Sequence, residues 1–180
     1  AWAPPYSGAR EFADRGDAFL NEMGINLQRE LAKDYPGFKL NLHPMEENGS
    51  RCDWDRGLAH AHNWNTLQRY GDCFQMLATA NTFQPHGLQY MWDQGRIHYT
   101  PDAIWFQPSA HIDEMMMKTW KPNVVQSSSS DQSLDVTAKI NDAKTEMTIY
   151  VANMSDQPQA AILNIENFRF GSRAEVQTIG

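Results

Sequence analysis

Cysteine is scarce in this chain. Cys52 and Cys73 are its two thiols in 180 residues, too few for a disulfide framework, and they form no C-x-x-C pair of the kind that holds zinc. Positive charge is also short: 15 Lys and Arg stand against 22 Asp and Glu, for a net charge of −7. With no basic patch to neutralise phosphates, neither nucleic acid nor an anionic membrane surface is expected as a main partner. The apolar runs fall far short of the roughly 20 residues a membrane span needs. The opening "AWAPPYSGAR" lacks the basic start and apolar centre of a secretory signal. HExxH, the P-loop, G-x-G-x-x-G and the G-x-S-x-G elbow are all missing. His60 and His62 lie two apart, which on a helix sends them to different faces, so no shared metal and no cofactor are expected. What the chain does have is core-forming mass, with 41% hydrophobic residues and 6 Trp, and disorder is not expected.

From Ala9 to Leu31, the residues Phe12, Leu20, Met23, Leu27 and Leu31 recur at mostly helical spacing. Ser7 is the expected N-cap, and "DYPG" at 34–37 stops the helix. "FKLNLHPM" at 38–45 reads as a short strand, with Pro44 tolerable near its end. Asp53 should cap a second helix that buries Trp54, Leu58, Ala61 and Trp64, with Gly71 at its C′ position. "CFQMLATAN" at 73–81 is a second strand-length run. A long irregular stretch rich in Trp, Tyr, Gln and His follows, and loops of that length are often functional. Ser109 should cap a third helix facing Ile112, Met115 and Met116 inward. After Pro122 the period becomes two. "LDVTAKIN", "EMTIYVAN", "QAAILNIENFRF" and "AEVQTI" predict four antiparallel strands with one solvent-facing side. The fold class expected is therefore α/β followed by all-β.

The chemistry turns on "MEENGSRCDWDRGLAHAHN", residues 45–63. Adjacent glutamates are usually a solvated surface pair. A carboxylate at the C-terminal end of a strand, ahead of a loop and helix, has a second meaning: in a (β/α)8 barrel the site is built there. Retaining glycoside hydrolysis needs such a carboxylate as nucleophile, with an acid/base carboxyl about 5–5.5 Å away. Tyr90, Trp92, Tyr99 and Trp105 in the long stretch serve either as packing or as stacking surfaces for sugar rings. His43 is either a satisfied core histidine or a site residue.

"MEEN" at 45–48, "LAHAHNWNTLQRYGD" at 58–72, "FQMLATANTF" at 74–83, "PDAIWFQPSAHIDEMM" at 101–116 and "KPNVV" at 121–125 follow one another in an order that resembles the α-L-arabinofuranosidases of glycoside hydrolase family 51. There, strand seven ends in E-W-N or D-E-W-N and strand eight and a helix lead into a C-terminal β-sandwich. The resemblance runs from about residue 9 to 180 and implies the last βα units of a (β/α)8 barrel in 1–121, followed by an antiparallel β-sandwich portion, incomplete, in 122–180. It implies Glu46 as nucleophile, or Glu47 if the register slips by one. It also implies Asn48 and Asn81 as substrate-binding residues, with Trp92 and His43 as further candidate contacts. The tryptophan of the motif is Glu47 here, and 84–100 has no counterpart. The implied partner is an arabinose-containing glycan of plant type, met by an extracytoplasmic or secreted parent enzyme. Because the acid/base would lie near the end of strand four, outside this chain, the 180-residue piece is expected to be inactive alone and to associate with the missing N-terminal part or with itself. The alternative is a non-catalytic carbohydrate-binding or interaction module, recognisable by a parent reading frame without the upstream strands.

Overall fold

A computed structural model describes residues 8–47, 52–87 and 94–180. The expected cap Ser7 lies outside them, as do the side chains of Phe12 and Met23. The first helical segment runs as α1 (Ala9–Leu20), a π-helical turn (Asn21–Asn26) and α2 (Leu27–Asp34). The wide turn changes which residues face inward. Ala13, Leu20 and Ile25 are buried, whereas Leu27 is exposed and α2 buries nothing, so the expected single stripe through Leu27 and Leu31 does not persist. Gly24 sits at this turn with no room for a side chain: a Cβ there would stand 2.3 Å from Phe74 Cζ.

Residues 38–47 and 73–80 run parallel, joined by isolated bridges at Leu42–Phe74 and Glu47–Thr79. Glu47 N–H donates to Ala78 O at 2.8 Å, and Ala80 N–H to Glu47 O at 3.1 Å. In place of the two expected strands there are two segments in a sparse parallel pairing through two isolated bridges. Helix α3 (Trp54–Arg69) is the crossover between them, as parallel neighbours require. Leu20, Ile25, Leu67, Cys73 and Phe74 close a core against Leu40 and Leu42.

Asp53 caps α3 as expected, its carboxylate accepting from Arg56 N–H at 3.1 Å. The buried surface of α3 is not the expected one. Trp54 is exposed and Leu58, Ala61 and Trp64 are half-buried, while Arg56, His60, His62, Asn63, Asn65, Thr66 and Gln68 are buried. The helix is enclosed nearly all round, and its buried polar side chains other than Gln68 find partners on the surrounding elements, as most buried polar groups do.

The stretch expected to be irregular contains β1 (Phe83–Pro85), β2 (Ile97–Tyr99) and β3 (Ile104–Phe106), with β1–β2 parallel and β2–β3 antiparallel. Helix α4 (Pro108–Thr119) follows, with Gln107 rather than Ser109 at its N-cap and Pro108 at N1, where proline's missing N–H costs nothing. Ile112 and Met116 are buried against Tyr150.

The second sheet has the order β4 (Asn123–Val125), β5 (Leu134–Ile140), β6 (Met147–Asn153), all antiparallel. Two of the four expected strands are thus β5 and β6. Residues 154–180 form no strand, correcting the other two: Ile162, Leu163, Phe170 and Val176 are exposed, so their alternation meets no facing layer. The solvent-facing side is also corrected. The face carrying Asp135, Thr137 and Lys139 with Thr148, Tyr150 and Ala152 packs on the helices. Asp135 meets Arg69, Thr137 Oγ1 donates to Asn65 O, and Lys139 Nζ lies 4.4 Å from the Trp120 ring centroid.

Candidate functional site

The paired glutamates part company at the end of the first strand-like segment. Glu46 is exposed. Glu47 turns to α3, where the Arg56 guanidinium grips both of its oxygens, Nη2 to Oε2 at 2.7 Å. His60 Nδ1 lies 3.1 Å from the same Oε2, and Asn63 Nδ2 donates to Oε1 at 3.4 Å. Burial by itself would raise the Glu47 pKa, but the charges and hydrogen bonds of His60 and Arg56 outweigh it and hold the carboxyl well below the usual carboxylate range.

The cluster continues past His60, which is fully buried. Its Nε2 lies 2.7 Å from Asp113 Oδ1 on α4, and Trp64 Nε1–H donates to that same oxygen at 2.7 Å. Arg96, just ahead of β2, pairs with Asp113 Oδ2. Carboxylates only accept hydrogen bonds, and the donors on these two acids include Arg56 and Asn63 on Glu47 and Trp64 on Asp113.

A second cluster uses the opposite side of α3. His62 Nε2 lies 2.8 Å from Asp17 Oδ2 on α1. Its Nδ1 lies 3.1 Å from Asp135 Oδ2 on β5, off the line of a good hydrogen bond. Arg69 Nη1 donates to Asp135 Oδ1 at 2.7 Å and to Thr137 Oγ1 at 2.9 Å. Burial disfavours the His62 cation, yet Asp135 and Asp17 push its pKa up to about 9. The two histidines thus face different partners. Among the described residues, no group of three or more His, Cys, Asp or Glu is arranged to hold a metal ion.

The remaining candidates scatter. His43 is exposed beside the strand-like segment. Asn81 is exposed at the end of the second segment, after a cis Ala80–Asn81 peptide, and its carbonyl accepts from Arg96 N–H at 3.1 Å. Asn48, Trp92 and Tyr90 lie outside the described residues. Trp105 packs edge-on to His86 at 4.9 Å and Tyr99 lines a shallow open groove with Phe83, Thr100, Asp102 and Ile104. Among the described candidates none bonds to Glu47, and Asn81 meets the cluster through the Arg96 backbone. Sequence reasoning missed Arg56, Arg96 and Asp113, and weighed His60 only as a metal ligand. The available signal was a capped helix with charged, amide and imidazole side chains on every face.

This arrangement of helices around parallel segments, with an antiparallel sheet beyond, is shared in fold with glycoside hydrolases. One such structure is the arabinose complex of the α-L-arabinofuranosidase from Thermotoga maritima, with a TM-score of 0.60, 16% identity, and coverage of 83% of this chain and 36% of that one. Another is an arabinose-bound family 51 α-L-arabinofuranosidase, with a TM-score of 0.58, 14% identity, and coverage of 72% of this chain and 24% of that one. The chain thus spans about a third and a quarter of the length of these enzymes, and the likeness is one of fold. No protein-family model and no curated protein matches the sequence.

Proposed function

We propose that this chain is the C-terminal part of a retaining glycoside hydrolase that releases α-L-arabinofuranosyl residues, with Glu46 as its nucleophile. In this reading residues 1–121 supply the last βα units of the catalytic barrel and 122–180 one layer of a β-sandwich. The observation that carries it is the division between the two glutamates. Both oxygens of Glu47 are held by Arg56 and His60, which stabilise the anion and so make it a poorer nucleophile toward an anomeric carbon. Glu46 stands exposed at the C-terminal end of a parallel segment, the position from which barrel enzymes work. Glu46 would attack the anomeric carbon to form a glycosyl-enzyme, and an acid/base carboxyl from elsewhere in the parent would protonate the leaving oxygen and then activate water. Asn48, Asn81, Trp92 and His43 are the proposed sugar contacts.

The test is Glu46→Gln in the full-length enzyme. The amide keeps the shape without the anionic nucleophile, so hydrolysis of an aryl α-L-arabinofuranoside should fall by several orders of magnitude, each tenfold being about 1.4 kcal/mol of barrier. Azide should restore turnover by attacking in place of the carboxylate. Full activity in Glu46→Gln would overturn the assignment.

A further inference from the structure

With Glu46 as nucleophile, Glu47 is left without a role in the chemistry, yet it is held among buried charges. Arg56 is 2% exposed and His60 0%. Removing ions such as Arg56 and Glu47 from water costs several kcal/mol each, and well-packed apolar residues in place of such a pair are often neutral or stabilising. Stability is therefore a weak reason for the cluster. Geometry is a stronger one. Three parts of the fold meet at Glu47, the residue next to Glu46: α3 directly through Arg56 and His60, and, by way of His60, α4 through Asp113 and the segment before β2 through Arg96 on Asp113. The backbone of Glu47 is pinned as well, by Ala78 O on its N–H and Ala80 N–H on its carbonyl. Fixing that residue at both its backbone groups and its carboxylate fixes the peptide that precedes it, and so the Cα from which the Glu46 side chain projects.

We infer that Glu47 is a positioning residue for Glu46, and that the Glu47–His60–Asp113 bridge carries the placement of α4 to the strand end. The inference rests on the reading of Glu46 as nucleophile. It gives a function to the glutamate that stands where the resembling family has tryptophan: a charged clamp at the strand end.

Two measurements test it. The first is amide hydrogen exchange on the 180-residue chain, comparing wild type with Asp113→Asn, a change on α4 that touches neither glutamate. Exchange at the Glu47 amide should rise by about tenfold or more, while the β5–β6 hairpin keeps its protection; a purely structural role would raise both together. Equal rises, or no change at Glu47, would overturn the inference. Should Asp113→Asn fail to fold, Trp64→Phe removes the indole N–H that reaches Asp113 and His60 Nε2 and should give the same pattern at smaller amplitude, with the same outcomes deciding. The second is kcat in the full-length enzyme per site titrated with a mechanism-based inactivator, which counts folded sites alone. Asp113→Asn should lower it by about ten- to a hundredfold, the cost of slight misplacement of a reacting group, with KM within about twofold. Unchanged kcat per titrated site would overturn the positioning role. If the exchange pattern holds but the wild-type enzyme releases no arabinose, the hydrolase reading falls and the clamp on the strand end stands.

Discussion

At the scale of single residues, charge pairing in the interior sets what substitution and pH should do. Glu47→Gln removes the carboxylate that Arg56 grips at both oxygens, and breaking a buried pair from one side costs about 3–5 kcal/mol. Urea unfolding of the variant should show a loss of that size, with the slope of the transition unchanged. His62 gives the pH dependence. Its pKa is raised in the folded chain from 6.5 to about 9 by Asp135 and Asp17, so its cation stabilises the fold fully below pH 6.5. That contribution is lost as pH rises through 9. It amounts to about 3 kcal/mol at most, and His62→Phe should flatten the decline between pH 6.5 and 9 in thermal melts. These pairings were hard to read from the sequence. Glu47 and Asp113 are 66 positions apart, Asp17 and His62 45 apart, and no local periodicity marks partners across such distances.

At the scale of elements, the long helical signals and the alternation of β5 and β6 were legible because several turns or strand periods repeat the same message. The three-residue strands β1–β3 were not, since three residues cannot display a period. The face of the β4–β6 sheet was misread because pattern alone assigns polar residues to solvent. Here Asp135 and Thr137 find buried partners on α3. Gly24 supplies the element-scale prediction. Alanine would gain about 1 kcal/mol of helix propensity, but its Cβ would stand 2.3 Å from Phe74 Cζ and 2.9 Å from Leu42 Cδ1. Overpacking of that kind costs about 1–3 kcal/mol. Gly24→Ala should therefore lower the thermal midpoint, and Phe74→Leu in the same chain should recover part of the loss.

At the scale of the whole molecule, apolar surface is the dominant feature. Val151 is half exposed on the outer face of β6, and Ile162, Leu163, Phe170 and Val176 are exposed beyond it. Surfaces of this kind mark sites where another layer of protein belongs. The 180-residue chain should show a light-scattering mass that climbs with concentration, and Ile162→Lys with Phe170→Lys should reduce that climb. A mass equal to one chain at every concentration would refute it.

The cluster around Asp135 also dictates an order of events during synthesis. Arg69 and Asp135 are 66 residues apart, and ribosomes add roughly 5–20 residues per second. For about 3–13 seconds after Arg69 has been added, α3 therefore has no acid from β5 to answer its buried cations. Over that interval its polar flank must remain hydrated, and the first two-thirds of the chain can only wait as a loose helical assembly. The β5–β6 hairpin, made later, is the part that locks it.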